Sequence, residues 1–285
     1  LTLPTGINDT AVHLMSTEWI AALPMYDFPD LAAAHDAWWH ALAERLGDAG
    51  IPHLPQSLNR TLGHHELWRH PRLLLGQACE YPLATTFHPW ARPLASPRYA
   101  APGCEGSRYR SAVVVRRDHP AATLIDLRGS RCVINEPHSN SGMNLLRAVI
   151  APIALRRPFF GSVSISGSHW QSARQLADGS ADVAAIDCVT YAHLQRFDAA
   201  LVARLRILDW TPASPSLPLI TARSTDEPTR QALRDALAGV AADPGCQAIC
   251  ASLRLQGFDF EVDERYREVL DLERHAAALG YPVLA

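Results

Sequence analysis

Apolar residues along the chain fall into two alternating patterns. Short β-prone runs, Ser111–Val115, Arg131–Asn135, Ser162–Ser166 and Asp182–Ile186, each break off at turn-forming or polar residues. Between them lie stretches with apolar residues every three or four positions, the mark of a helix with one buried face. The first run, Trp19–Leu23, leads through Pro24-Met25-Tyr26-Asp27 into a helix carrying Leu31, Ala34, Trp38, Ala41, Leu42 and Leu46 on one side. Leu73–Leu75 is a second run, closed by Cys79-Glu80-Tyr81-Pro82. After Arg131–Asn135 a helix is predicted with Leu146, Val149, Ile150 and Ile153 on one face, kinked or ended by Pro152. Gly167-Ser168-His169 opens a further helix with Ala173, Leu176 and Ala177, and Asp178-Gly179 stops it. Ile207–Leu208 precedes a proline-rich stretch, Trp210–Pro218, and a last strand, Leu219–Thr221. The tail reads as helical: a stripe at Leu233, Ala236, Leu237 and Val240, a helix near Pro244–Leu253, and one with Tyr266, Val269 and Leu270 that stops at Gly280.

Alternating strand and helix predict an α/β architecture. Turn residues interrupt the alternation near Pro102–Tyr109 and near Thr211–Pro218. These breaks divide the chain into a first lobe built from residues 15–108 and 219–285 and a second lobe over residues 109–218. Two hinge crossings would join them, as in a hinged clamshell.

Composition narrows the chemistry. The 285 residues carry a net charge of −3 and contain no lysine, so every fixed positive charge is an arginine. Phosphate-loop lysine, Schiff-base lysine and lysine general base are thereby excluded. No basic stripe points to nucleic acid as a partner, and no apolar run is long enough to cross a bilayer. Leu1–Leu14 has no basic start, long apolar stretch or small-residue cleavage site; either Met15 is a native start or the sequence is the mature form of an exported protein, and these residues leave both a periplasmic and a cytoplasmic location open. Of six cysteines, Cys246, Cys250, Cys132 and Cys188 read as small buried hydrophobes. Cys79 and Cys104 sit at polar segment ends and are the candidate disulfide pair, which would imply an oxidising compartment.

Ser139-Asn140-Ser141-Gly142 lies between a strand and a helix. The unpaired N–H groups and dipole of a helix start favour an anion, and two hydroxyls and an amide there could complete a ring of donors. Ordinary N-capping is the simpler reading, although one cap needs only one such residue. Ser166-Gly167-Ser168-His169 is a second junction of the same type, and two of them at neighbouring strand ends favour binding. Asp187 ends a strand and is either a cap or an acceptor for an amine or a protonated oxyanion. Tyr26 and Tyr81 follow first-lobe strands and would face the same crevice. Catalytic motifs are missing. His64-His65-Glu66-Leu67-Trp68-Arg69-His70 comes near a zinc-protease pattern, but the second histidine is one position late. There is no G-x-S-x-G, G-x-G-x-x-G or EF-hand loop.

The ordered set Trp19-Ile20-Ala21-Ala22-Leu23-Pro24-Met25-Tyr26-Asp27, Cys79-Glu80-Tyr81-Pro82-Leu83, Tyr109-Arg110-Ser111, Asp126-Leu127-Arg128-Gly129, Asn135-Glu136-Pro137-His138-Ser139-Asn140-Ser141-Gly142, Gly167-Ser168-His169 and Asp182–Asp187 resembles the phosphate/phosphite/phosphonate solute-binding proteins of ABC transporters. These have the type II periplasmic-binding-protein fold, and the resemblance runs from Trp19 to the last helix. It implies a monomeric, non-enzymatic receptor outside the cytoplasm, without a cofactor, that captures a small oxyanion in an interlobe cleft and serves an ABC permease. It further implies that Ser139, Asn140 and Ser141 grip the anion beside His169, that Tyr26 and Tyr81 close on it, and that Asp187 reads its substituent or proton. Glu80, where the family usually has a small residue, and Asn140, where it often has a hydroxyl, depart from the pattern. The same fold also resembles menaquinone-pathway dehydratases, thiamine-pyrimidine synthases and ligand-sensing modules, so an enzyme or a sensor is the alternative.

Overall fold

The structure, a computed structural model, describes residues 18–262 and 265–285. The reading of Met15 and Leu1–Leu14 lies outside the described residues. In chain order the first elements are β1 (Ile20–Ala21), α1 (Ala32–Asp48), α2 (His64–Arg69), β2 (Leu73–Gln77), α3 (Glu80–Pro82) and β3 (Ala91–Tyr99). There follow β4 (Arg108–Tyr109), β5 (Ser111–Arg116), β6 (Arg131–Ile134), α4 (Leu145–Ala154), β7 (Ser162–Ile165), α5 (His169–Asp178), β8 (Val183–Asp187), α6 (Cys188–Phe197), α7 (Ala199–Val202) and β9 (Leu205–Trp210). The last are β10 (Ser214–Pro215), β11 (Leu219–Ala222), α8 (Glu227–Ala242), α9 (Gln247–Ser252), β12 (Leu255–Asp259) and α10 (Glu268–Ala278).

Two five-stranded sheets organise the chain. One has the order β1-β2-β11-β3-β12, and the other β7-β6-β8-β5-β9. The chain therefore enters the first sheet, builds the second, and returns. Both crossings run side by side, since β4 and β10 pair antiparallel with Tyr109 opposite Ser214 and Arg108 opposite Pro215. In the first lobe α1 and α8 pack on the sheet through Trp38, Trp39, Leu42, Leu46, Leu233, Leu237 and Val240. Trp39 is buried as well as the anticipated face, because its indole N–H reaches the Pro55 carbonyl at 3.0 Å. In the second lobe β6 and β8 are parallel, and helices follow both. The carboxyl ends of these strands, where such sheets hold ligands, face the first lobe.

Two strands depart from the sequence reading. Leu219–Thr221 is not the last strand, because β12 follows and pairs with β3. β3 itself carries Pro93 and Pro97, residues that lack a ladder donor and argue against a strand between two partners. Bulges absorb them: the ladder shifts register at Leu219/Ile220 opposite Pro93 and at Leu255/Gly257 near Pro97. The C-terminal segment also differs, because residues 219–285 do not all join the first lobe. α10 packs on α4, with Val269, Ala276, Tyr281 and Leu284 buried in the second-lobe core. The Ala285 carbonyl accepts N–H bonds from Phe159 and Phe160 at 2.6 and 3.1 Å. Pro152 does not itself end α4: it lies inside the helix, which runs two residues further and stops where Leu155 turns left-handed at φ 57°.

Candidate functional site

A cleft of about 790 Å³ opens between the lobes. Its floor on the second-lobe side is made by three helix starts. The chain leaves β6 through Asn135, and Ser139 caps a single π-helical turn, Asn140–Asn144, that runs into α4. The Ser139 hydroxyl accepts the Gly142 N–H at 2.9 Å and lies 3.3 Å from the Ser141 hydroxyl. Ser141 Oγ is in turn 2.7 Å from His169 Nε2, the first residue of α5. Ser168 caps α5 by accepting the Gln171 N–H at 3.1 Å. Asp187 caps α6, accepting the Thr190 N–H at 2.8 Å. Two hydroxyls, an imidazole and the aligned N–H groups of helix starts thus meet in one pocket, where negative charge is favoured.

Gly142 is what allows this approach. A Cβ there would lie 1.8 Å from Asn135 Oδ1 and 3.2 Å from His169 Cε1, so the turn, the β6 end and the imidazole close together only over glycine. Burial lowers the His169 pKa to about 4, which leaves the ring neutral at physiological pH. No arginine lines the cleft among the described residues, and its acidic lining is Asp27, Glu66, Glu136 and Asp187; on the second-lobe side hydroxyls and helix starts are the groups that can donate to an anion.

A buried guanidinium stands one layer behind the turn. Arg147, 4% exposed, donates to Asn144 Oδ1 at 2.6 Å, and Asn144 Nδ2 donates to Asn140 Oδ1 at 3.0 Å. Asn140 Nδ2 donates on to Ser214 Oγ at 2.9 Å, and its backbone N–H points to Cys79 Sγ at 3.2 Å. Asn140 is fully buried in this network and does not line the cleft. Its side chain anchors the turn from beneath.

The first lobe contributes Tyr26, Asp27, Phe28, His64, His65 and Trp68 to the opposite wall. The Tyr26 hydroxyl reaches across to Asp187 Oδ2 at 2.8 Å, and Phe28 meets Trp170 with ring centroids 5.5 Å apart. Burial raises the Asp187 pKa to about 6, against the opposing hydrogen bonds from Thr190, Tyr26 and Val189. Asp27 is also desolvated, but hydrogen bonds from His35 and Arg60, the latter at 2.6 Å, outweigh burial and hold its carboxyl low. That acid remains charged and already paired.

Of the residues singled out from sequence, Tyr26, Ser139, Ser141, His169 and Asp187 converge on the cleft. Tyr81 does not. Its hydroxyl donates to Glu273 Oε1 at 2.7 Å and its ring packs into the second-lobe core beside Arg147. Cys79 and Cys104 are free and apart. Cys79 faces Asn140, and Cys104 Sγ lies 3.4 Å from Cys188 Sγ. Glu80 is fully buried away from the cleft, near Tyr109 Oη at 3.5 Å. Burial drives its pKa well above the carboxyl range, so it stays neutral. Asn135 and Thr190 were not anticipated as site residues. The spacing Asp187-x-x-Thr190 is a capping signature that could have placed Thr190, whereas Asn135 carries no such signal.

Residues 20–266 match the sequence profile of the periplasmic substrate-binding protein of the phosphonate ABC transporter. The chain belongs to this family. It is a solute-binding protein with a two-lobed type II fold, and its family captures small ligands for transport. No curated protein sequence matches the chain. Among solved structures, PhnD1 from Prochlorococcus marinus in complex with methylphosphonate is 12% identical, with a TM-score of 0.72 over 91% of this chain and 98% of that one. A binding-protein component of a phosphonate ABC transporter from Pseudomonas aeruginosa is 15% identical, with a TM-score of 0.69 over 92% and 87%. A Xanthomonas citri protein bound to ATP is 16% identical, with a TM-score of 0.71 over 92% and 99%. At these identities the structures share the fold.

Proposed function

We propose that this solute-binding protein holds a phosphorus oxyanion, of the phosphate, phosphite or phosphonate class, at Ser139, Ser141 and His169. The carrying observation is the convergence of two capped helix starts and two hydroxyls with one neutral imidazole across 2.7–3.3 Å. Ser139 already accepts the Gly142 N–H, so its own O–H is available to donate to an anion. Asp187 stands at the edge of the same cleft and discriminates by proton. A phosphonate monoanion can donate its O–H to a carboxylate, whereas sulfate has no proton to offer at neutral pH and meets repulsion. Glu80, neutral and turned away, leaves that selection undisturbed.

Closure of the two lobes about residues 106–111 and 212–218 traps the solute. Contacts made only in the shut state drive it. The buried Tyr26–Asp187 hydrogen bond joins the lobes and would be strengthened or broken as they move. Release then passes the solute to an ABC permease outside the cytoplasm, and the protein acts as a monomer without chemical change to its cargo. The methylphosphonate bound by the Prochlorococcus marinus protein makes that compound the first to test. Native mass spectrometry of the chain incubated with methylphosphonate should return a one-to-one complex and unmodified ligand. Accumulation of a transformed product would replace the receptor with an enzyme.

A further inference from the structure

Cys104 and Cys188 are 84 positions apart in sequence, yet their sulfurs stand 3.4 Å from each other. Cys104 lies in the crossing between β3 and β4, half-buried, at the end of a tight turn closed by its own N–H to the Ala101 carbonyl at 2.9 Å. Cys188, 1% exposed, is the first residue of α6, directly after Asp187. The crossing is pressed onto that helix start. A Cβ on Gly103 would lie 3.0 Å from Cys188 Cβ and 2.7 Å from the Trp210 ring, and Gly103 takes φ +99° to pass there. The other cysteines are differently engaged: Cys79 faces the anion turn, Cys132 is inside the second sheet, and Cys246 and Cys250 pack under α1.

We propose that Cys104 and Cys188 form a disulfide that fastens the first hinge crossing to the helix carrying Asp187. A bonded pair needs sulfurs about 2.05 Å apart, a shift of little more than 1 Å that the half-buried Cys104 turn can supply. The chemistry is exchange with an external disulfide. The Cys104 thiolate attacks one sulfur of the oxidant, forming a mixed disulfide and releasing one thiol. Cys188 then loses its proton and attacks the Cys104 sulfur, releasing the second thiol. Two electrons pass from the pair to the oxidant, which leaves as two thiols. The hydrogen bond to Cys104, burial and the Asp187 charge all raise the Cys188 pKa, which slows the second step once Cys188 is buried. The periplasmic family supplies the setting, since disulfides persist in that compartment.

The test is refolding in a buffer of reduced and oxidised glutathione, followed by alkylation and peptide mapping. The expected result is a linked peptide containing Cys104 and Cys188, with the remaining four of the six cysteines alkylated. The oxidised protein should melt about 5–10 °C above the reduced one, because the bond closes a long loop. Cys104→Ser, at the less buried position, should fold and melt at one temperature in both buffers. Six alkylated cysteines after oxidative refolding would overturn the proposal. So would a different pair, or a Cys104→Ser protein that keeps the redox-dependent shift.

Discussion

Burial and hydrogen bonding pull the Asp187 carboxyl in opposite directions, and burial wins. Its pKa of about 6 lies above the ordinary carboxyl value of about 3.9. The folded state therefore holds the proton more tightly than the unfolded chain. The stability that this proton confers is present below about pH 4 and is lost as pH rises through 6. Two units correspond to roughly 2–3 kcal/mol. Asp187→Asn keeps the cap on α6, since Asn caps as well as Asp, and removes the charge. Thermal unfolding between pH 4 and 7 should show wild type losing stability relative to this variant as pH rises. Parallel curves would mean that the carboxyl titrates normally.

At the level of the turn that follows β6, local conformation and site are inseparable. Ser139 caps it, Asn140 pins it from below, and Gly142 lets His169 close over it. Gly142→Ala should cost about 1–3 kcal/mol, as overpacking does, and should weaken anion binding because the turn must move away from Asn135. Denaturant unfolding checks the first effect; wild-type stability with an alanine there would contradict the packing. This turn also marks the limit of what the sequence disclosed. Ser139-Asn140-Ser141-Gly142 announced a helix start rich in donors, but the inward turn of Asn140 depends on Tyr109, Ser214 and Asn144, which only the fold assembles. Tyr81 was misplaced for a similar reason: its partner Glu273 lies on α10, and nothing in the helical pattern of α10 said which lobe it would cover. β3 was hidden by its two prolines and β12 by Gly257, because tolerance of both depends on bulges in neighbouring strands.

For the whole molecule, the order of sheets was readable because turn residues cluster at the two crossings, and the pairing of β4 with β10 shows why they cluster together. Paired crossings form a compact hinge, so small-angle scattering should show a smaller radius of gyration with saturating methylphosphonate than without. An unchanged radius alongside proven binding would speak against lobe closure. Oxyanion capture at Ser139 and Ser141 is tested by calorimetry on ligand-stripped protein with phosphate, phosphite, methylphosphonate, aminoethylphosphonate and sulfate, repeated for Ser139→Ala and Ser141→Ala. Wild type is expected to bind at least one phosphorus oxyanion and to disfavour sulfate. Each alanine should weaken that binding by about 1.5–3 kcal/mol, the range for hydrogen bonds to charged groups. Wild type that ignores every phosphorus oxyanion, or alanine variants that bind as tightly as wild type, would contradict it.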